Sequence, residues 1–105
     1  MVNNENNIET LEWSAWLDFN KDTIETIPEE EGVYKMHASM KILYIGNSSN
    51  LRRSILESLS MPCLSKATRF SYAATTTQQS QKTKEDLLNE YRNKHNGKSP
   101  ICMES

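Results

Sequence analysis

The stretch Gly32-Val33-Tyr34-Lys35-Met36-His37-Ala38-Ser39-Met40-Lys41-Ile42-Leu43-Tyr44-Ile45-Gly46, continued by Asn47-Ser48-Ser49-Asn50-Leu51-Arg52-Arg53, decides how this chain folds. Val33 to Ala38 and Lys41 to Ile45 are rich in β-branched and aromatic residues, which predicts two strands. The Ala38-Ser39-Met40 link is short enough to make them antiparallel partners. Asn47 to Asn50 offers several helix caps, and Leu51, Ile55 and Leu59 recur at i, i+4 and i+8, which predicts a helix running to about Ser60 and ended by Pro62.

Outward from this unit the signals weaken. Phe70 and Tyr72 alternate with Arg69 and Ser71, which predicts a third strand within Ala67 to Thr75. The polar stretch Thr75 to Thr83 reads as a loop. Thr83 is the candidate cap of a helix over Lys84 to His95, with Leu87, Leu88 and Tyr91 on its apolar face and Asn96-Gly97 closing it. Upstream, Ile8, Leu11, Ala15 and Phe19 fall at helical spacing, which predicts a short helix over residues 8–19 carrying Trp13 and Trp16 on one face. The expected organisation is an acidic N-terminal segment, 1–25, with that helix, then one domain over 26–105. The expected fold class is α+β: a small central antiparallel three-stranded sheet flanked by helices.

The chain has 105 residues, 36% hydrophobic and 25% charged, a composition that supports one modest core. Charge is divided along it: residues 1–31 hold nine acids against one base, and 32–105 hold eleven bases against five acids. A basic body of this kind attracts phosphates at long range. No apolar run approaches a membrane span, and the acidic start lacks the basic and apolar regions of a secretory signal, so no membrane association and a cytoplasmic location are expected. Cys63 and Cys102 form no metal-binding spacing, and read as reduced packing residues. His37 reads as a surface or hairpin residue, and His95 as a cation at a helix end.

Gly32-Val33-Tyr34, nine residues, then Tyr44-Ile45-Gly46 resembles the paired strand motifs of the GIY-YIG endonucleases, with valine in place of the isoleucine. The Asn50-Leu51-Arg52-Arg53 helix start and a glutamate-bearing helix before Pro100 continue the resemblance, which covers residues 26–103. It implies phosphodiester hydrolysis in DNA with one divalent metal, Mg or Mn, held by a glutamate. It also implies two adjacent tyrosines, Tyr34 and Tyr44, one positioning or deprotonating water. An arginine on the first helix would stabilise the transition-state charge. By helical geometry Glu85 and Glu90 flank the Leu87-Leu88-Tyr91 stripe at equal angles; the resemblance selects Glu85 as metal ligand, because it precedes Leu88 by three.

Two positions depart from that pattern. Counting from Asn50 and Leu51, the arginine is due at position 54, which holds Ser54, and Arg53 is offset by about 100° on a helix. The asparagine often found after the family's terminal proline is absent, since Ile101, Cys102 and Met103 follow Pro100. The expected catalytic set is therefore Tyr34, Tyr44, Arg53 and Glu85, and the expected nucleic-acid contacts are Arg52, Arg53, Lys35 and Arg69. The function expected is a degenerate domain of this type, binding DNA with weak or absent nuclease activity, the alternative being an active metal-dependent endonuclease. A protein partner or homo-oligomer is the further expectation.

Overall fold

The computed structural model describes residues 11–38 and 41–103. In chain order it contains β1 (Leu17–Asp18), α1 (Lys21–Ile24), β2 (Gly32–Ala38), β3 (Lys41–Ser48), α2 (Leu51–Ser58), β4 (Arg69–Ala74) and α3 (Thr77–Lys94), with 3₁₀ turns at Leu64–Lys66 and Ile101–Met103. The strands form one antiparallel sheet in the order β1-β4-β2-β3. The expected hairpin of β2 and β3 is present; its turn residues 39–40 lie outside the described residues.

The sheet has four strands rather than three. The added one comes from the stretch expected to be helical: positions 8–10 lie outside the described residues, and 11–16 are not helical. The physical reason is the open edge of β4. Ser14 N–H donates to the Tyr72 carbonyl at 2.8 Å and Phe19 N–H to that of Thr68 at 3.0 Å, flanking the Leu17–Phe70 and Asp18–Arg69 pairs. An edge strand offers a row of unpaired backbone groups that outweighs weak helix propensity. The chain turns helical only at α1, where the Asn20 side chain caps Thr23 N–H at 2.9 Å.

Strand register sorts the side chains into two layers. Tyr34 stands opposite Gly46 and Tyr72, and Met36 opposite Tyr44 and Phe70, so these residues share one face. That face buries against Ile24, Ile27, Leu51, Ile55 and Leu64. Val33, Lys35, Ile45 and Ala73 point to the other face, along which α3 lies, and which contributes a second buried layer with Leu88. Gly32 sits where β2 and β4 come closest to α2: a Cβ there would lie 2.3 Å from the Ala73 carbonyl oxygen.

The two longer helices differ in how closely they follow expectation. α2 starts where predicted, with Asn50 Oδ1 accepting from Arg53 N–H at 3.1 Å. α3 starts two turns earlier than predicted, so Thr77 to Thr83 is helix, not loop. Its cap is Thr76, which accepts from Gln79 N–H, and Thr77 Oγ1 donates to Glu31. Ser80 and Thr83 are buried against the sheet yet satisfied, Ser80 Oγ by the Thr77 carbonyl and Thr83 Oγ1 by the Gln79 amide. Polar residues on a buried helix face concealed the first turns from a hydrophobic count. Asn96 and Gly97, both at positive φ, reverse the chain after α3, and Gly97 N–H donates to the Arg92 carbonyl at 2.7 Å. Contrary to the expectation of reduced thiols, Cys63 and Cys102 form a disulfide that ties the loop after α2 to the last described turn.

Candidate functional site

Tyr34 on β2 and Tyr44 on β3 lie side by side, ring centroids 5.8 Å apart and planes inclined at 36°. They are brought together by antiparallel pairing, which places Gly46 opposite Tyr34 and leaves no side chain between the rings. A Cβ at Gly46 would lie 2.5 Å from the Tyr44 ring edge and 3.1 Å from the Tyr34 hydroxyl. Tyr34 is 5% exposed. Burial pushes its phenol well above the ordinary tyrosine range, and the neighbouring Tyr44 and the Glu57 carboxylate push in the same direction. In this environment it therefore holds its proton at neutral pH.

The α2 residues divide by helical angle. Ser54 is half-buried and hydrogen-bonds to Ser48 Oγ, and Ser48 itself donates to the Asn50 carbonyl at 2.9 Å. Ser48, Gly46 and Tyr44 alternate along β3 on the tyrosine face, so its bond to Ser48 puts Ser54 over that face, at the Gly32–Ser48 end. Arg53 is exposed, and among the described residues its guanidinium has no ion pair. Arg52 is held by the Ile27 carbonyl at 2.8 Å and by Glu29 at 3.2 Å. Glu57, three residues beyond Ser54, is the charged group nearest in influence to Tyr34, and sequence reasoning missed it. Its signal was available: positions 54 and 57 differ by about 60° on a helix.

Glu85 is exposed on α3, the helix packed against the face opposite the tyrosines. The same helix carries Glu90, whose carboxylate faces Lys35 on that opposite side. The structure brings Tyr34 and Tyr44 together and leaves Glu85 on the other layer. Among the described residues no group of three or more His, Cys, Asp or Glu side chains gathers at one point. With Glu85 on the far layer, the residues around the phenols do not fit a cation held there by that side chain.

Lys35 and Arg69 are also engaged. The Lys35 ammonium lies 4.2 Å from the Trp13 ring centroid and 5.3 Å from that of Trp16, and desolvation lowers its pKa. Arg69 pairs with Asp18 at 2.9 Å across the β1–β4 edge. His37, expected as a surface or hairpin residue, lies in the β2–β3 hairpin opposite Ile42 and is half-buried. Its ring meets Trp16 edge-on at 4.1 Å, its Nδ1 is buried without a partner, and desolvation lowers its pKa.

Residues 11–94 match the family described as a domain of unknown function, DUF7508. The chain belongs to this family. Its fold is that of a GIY-YIG domain. Two solved structures of the GIY-YIG N-terminal endonuclease domain of UvrC from Thermotoga maritima superpose with a TM-score of 0.58, at 21% and 20% identity. In each case the match covers 66% of this chain and 84% of the UvrC domain. Both UvrC structures are tyrosine-to-phenylalanine variants bound to the catalytic divalent cation. No curated protein matches the sequence. Among the described residues no helix is long and apolar enough to cross a membrane.

Proposed function

We propose that this DUF7508 chain is a degenerate GIY-YIG-type domain that binds nucleic acid, DNA in the first instance, and has weak or no nuclease activity. The observation that carries this reading is the α2 face turned toward the phenols: Ser54 stands there, and the neighbouring Arg53 is turned to solvent. A preorganised cation at such a place is worth on the order of 10²-fold or more in rate. The buried, proton-retaining Tyr34 and the placement of Glu85 on the far layer support the same reading. The basic body supports binding. Exposed pairs such as Arg52–Glu29 and Arg69–Asp18 are worth under about 1 kcal/mol, so either arginine can exchange its carboxylate for a phosphate.

A second reading, an active Mg- or Mn-dependent endonuclease, is favoured by the adjacency of Tyr34 and Tyr44. A protein partner or second copy supplying the missing cation would reconcile the two. The Cys63–Cys102 bond is at odds with the cytoplasmic location expected from the sequence, because disulfides persist in oxidising compartments.

Supercoiled-plasmid nicking with Mg or Mn, alongside anisotropy of a labelled duplex without metal, tests the choice. The expected result is binding without nicking above background. Metal-dependent nicking by the unaltered chain that disappears in Tyr34→Phe or Glu85→Ala overturns the proposal in favour of the nuclease.

A further inference from the structure

On the layer opposite the tyrosines, two adjoining cavities of about 470 and 520 Å³ open where the Lys41 end of β3 meets the C-terminal turn of α3. Lys41, Tyr91, Lys94 and His95 line both. The inner cavity has an apolar floor of Ile42, Ile45 and Leu87, and Glu90 supplies one carboxylate facing Lys35. The outer cavity adds Lys98, which the positive-φ reversal at Asn96 and Gly97 returns to the same side as Lys94.

Three features of this cleft point to one ligand chemistry. Lys41, Lys94 and Lys98 are exposed, and among the described residues none has an ion-pair partner, in contrast to Arg52, Arg69 and Lys82. The Tyr91 and His95 rings stack at 3.8 Å and 10°, and His95 Nδ1 is fixed at 2.7 Å from the Tyr91 carbonyl oxygen, which makes a rigid aromatic platform. Beside it lies an apolar slot of the size that takes a small planar molecule. An aromatic platform next to uncompensated cations is the arrangement that holds a base and its phosphate.

We infer that this cleft is a nucleotide-binding site, taking a base against the Tyr91–His95 platform and its phosphate on Lys41, Lys94 and Lys98. It rests on the nucleic-acid-binding reading only for the source of the nucleotide, a single strand or a free mononucleotide; its place in the fold is independent of the tyrosine face. Binding through three lysines gives a single strand a logarithmic salt slope near −2, so affinity falls roughly 15-fold between 50 and 200 mM salt.

The test uses the full chain, a fluorescein-labelled ten-nucleotide single strand, dAMP and inorganic phosphate, with Lys41→Glu/Lys94→Glu/Lys98→Glu as the variant. All three lysines are exposed, and circular dichroism checks that the variant folds. The expected result is strand binding with that salt dependence, lost in the variant, together with NMR shifts at Ile42, Ile45 and Tyr91. dAMP giving the same shifts identifies a free or terminal nucleotide as the source; strand binding without a dAMP response identifies the polymer. Phosphate alone reproducing every dAMP shift overturns the base slot. Strand affinity and salt slope unchanged in the variant overturn the cleft but leave the nucleic-acid-binding reading standing, and absence of binding by the unaltered chain to strand, duplex and dAMP overturns both.

Discussion

Replacing Gly32 by alanine adds one methyl group at the tightest junction of the molecule. The new Cβ would lie 2.3 Å from the Ala73 carbonyl oxygen, 2.9 Å from Leu51 Cδ1 and 3.0 Å from Ala74 Cα. Two of these three atoms are backbone, and an ordinary contact begins near 3.4 Å, so β2 and β4 must separate locally by roughly 1 Å. That movement stretches the ladder around the Gly32–Ala74 and Val33–Ala73 pairs and the adjoining Thr75 N–H to Glu31 carbonyl bond, now 3.0 Å. Two such bonds lost at about 1 kcal/mol each, with about 1–3 kcal/mol for overpacking against Leu51, are offset by about 0.5–1 kcal/mol of reduced unfolded-state freedom. The net expectation is a loss of about 3 kcal/mol, a fall in Tm of roughly 10–20 °C for a domain of this size. Thermal and urea unfolding followed by circular dichroism measure it. Gly97→Ala is the comparison: its φ is +85°, but no atom lies within 4 Å of the added Cβ, so only the left-handed conformation costs, about 1 kcal/mol. If Gly32→Ala is as stable as the unaltered chain, or costs less than Gly97→Ala, the close approach of β4 and α2 to the first motif glycine is refuted.

Because burial raises the Tyr34 pKa in the folded state, its neutral form contributes stability that is complete below the ordinary tyrosine value of about 10 and is lost as pH rises beyond it; urea midpoints should fall as pH rises above about 10, and Tyr34→Phe should flatten that fall relative to the unaltered chain. Reduction of Cys63–Cys102, which spans a sequence separation of 39, should lower stability by up to about 4 kcal/mol on loop entropy, measured as a shift in the urea midpoint with and without reductant; no shift, or free thiols on mass spectrometry of non-reduced protein, refutes the bond. Asn50→Ala removes the α2 cap and should cost about 1 kcal/mol, while Asn50→Asp should restore most of it. Desolvation lowers the His37 pKa, so its neutral ring contributes stability that is present above the ordinary value of 6.5 and lost as pH falls below it; His37→Phe should remove that part of the acid sensitivity.

Legible in short stretches of sequence were the β2–β3 hairpin, the Asn50 cap, the helix after it and the Asn96-Gly97 reversal, while the closeness of Tyr34 and Tyr44 was expected from the family resemblance. Strand alternation, capping chemistry and positive-φ preference are properties of a few neighbouring residues and need no knowledge of the rest. The fourth strand, the early start of α3 and the Cys63–Cys102 link were decided by partners far away in the chain. Residues 17–18 became strand because β4 presented an empty edge, and Thr77 to Thr83 became helix because the sheet could bury Ser80 and Thr83 once their hydroxyls were satisfied. The same holds for the candidate site. The adjacency of the phenols follows from hairpin pairing, but the sheet decides that α3 lies behind it, which sends Glu85 to solvent and gathers Lys41, Lys94 and Lys98 around one cleft. A helix's angular pattern fixes which residues share a side; which layer that side meets is a long-range packing outcome, set by where apolar area is buried.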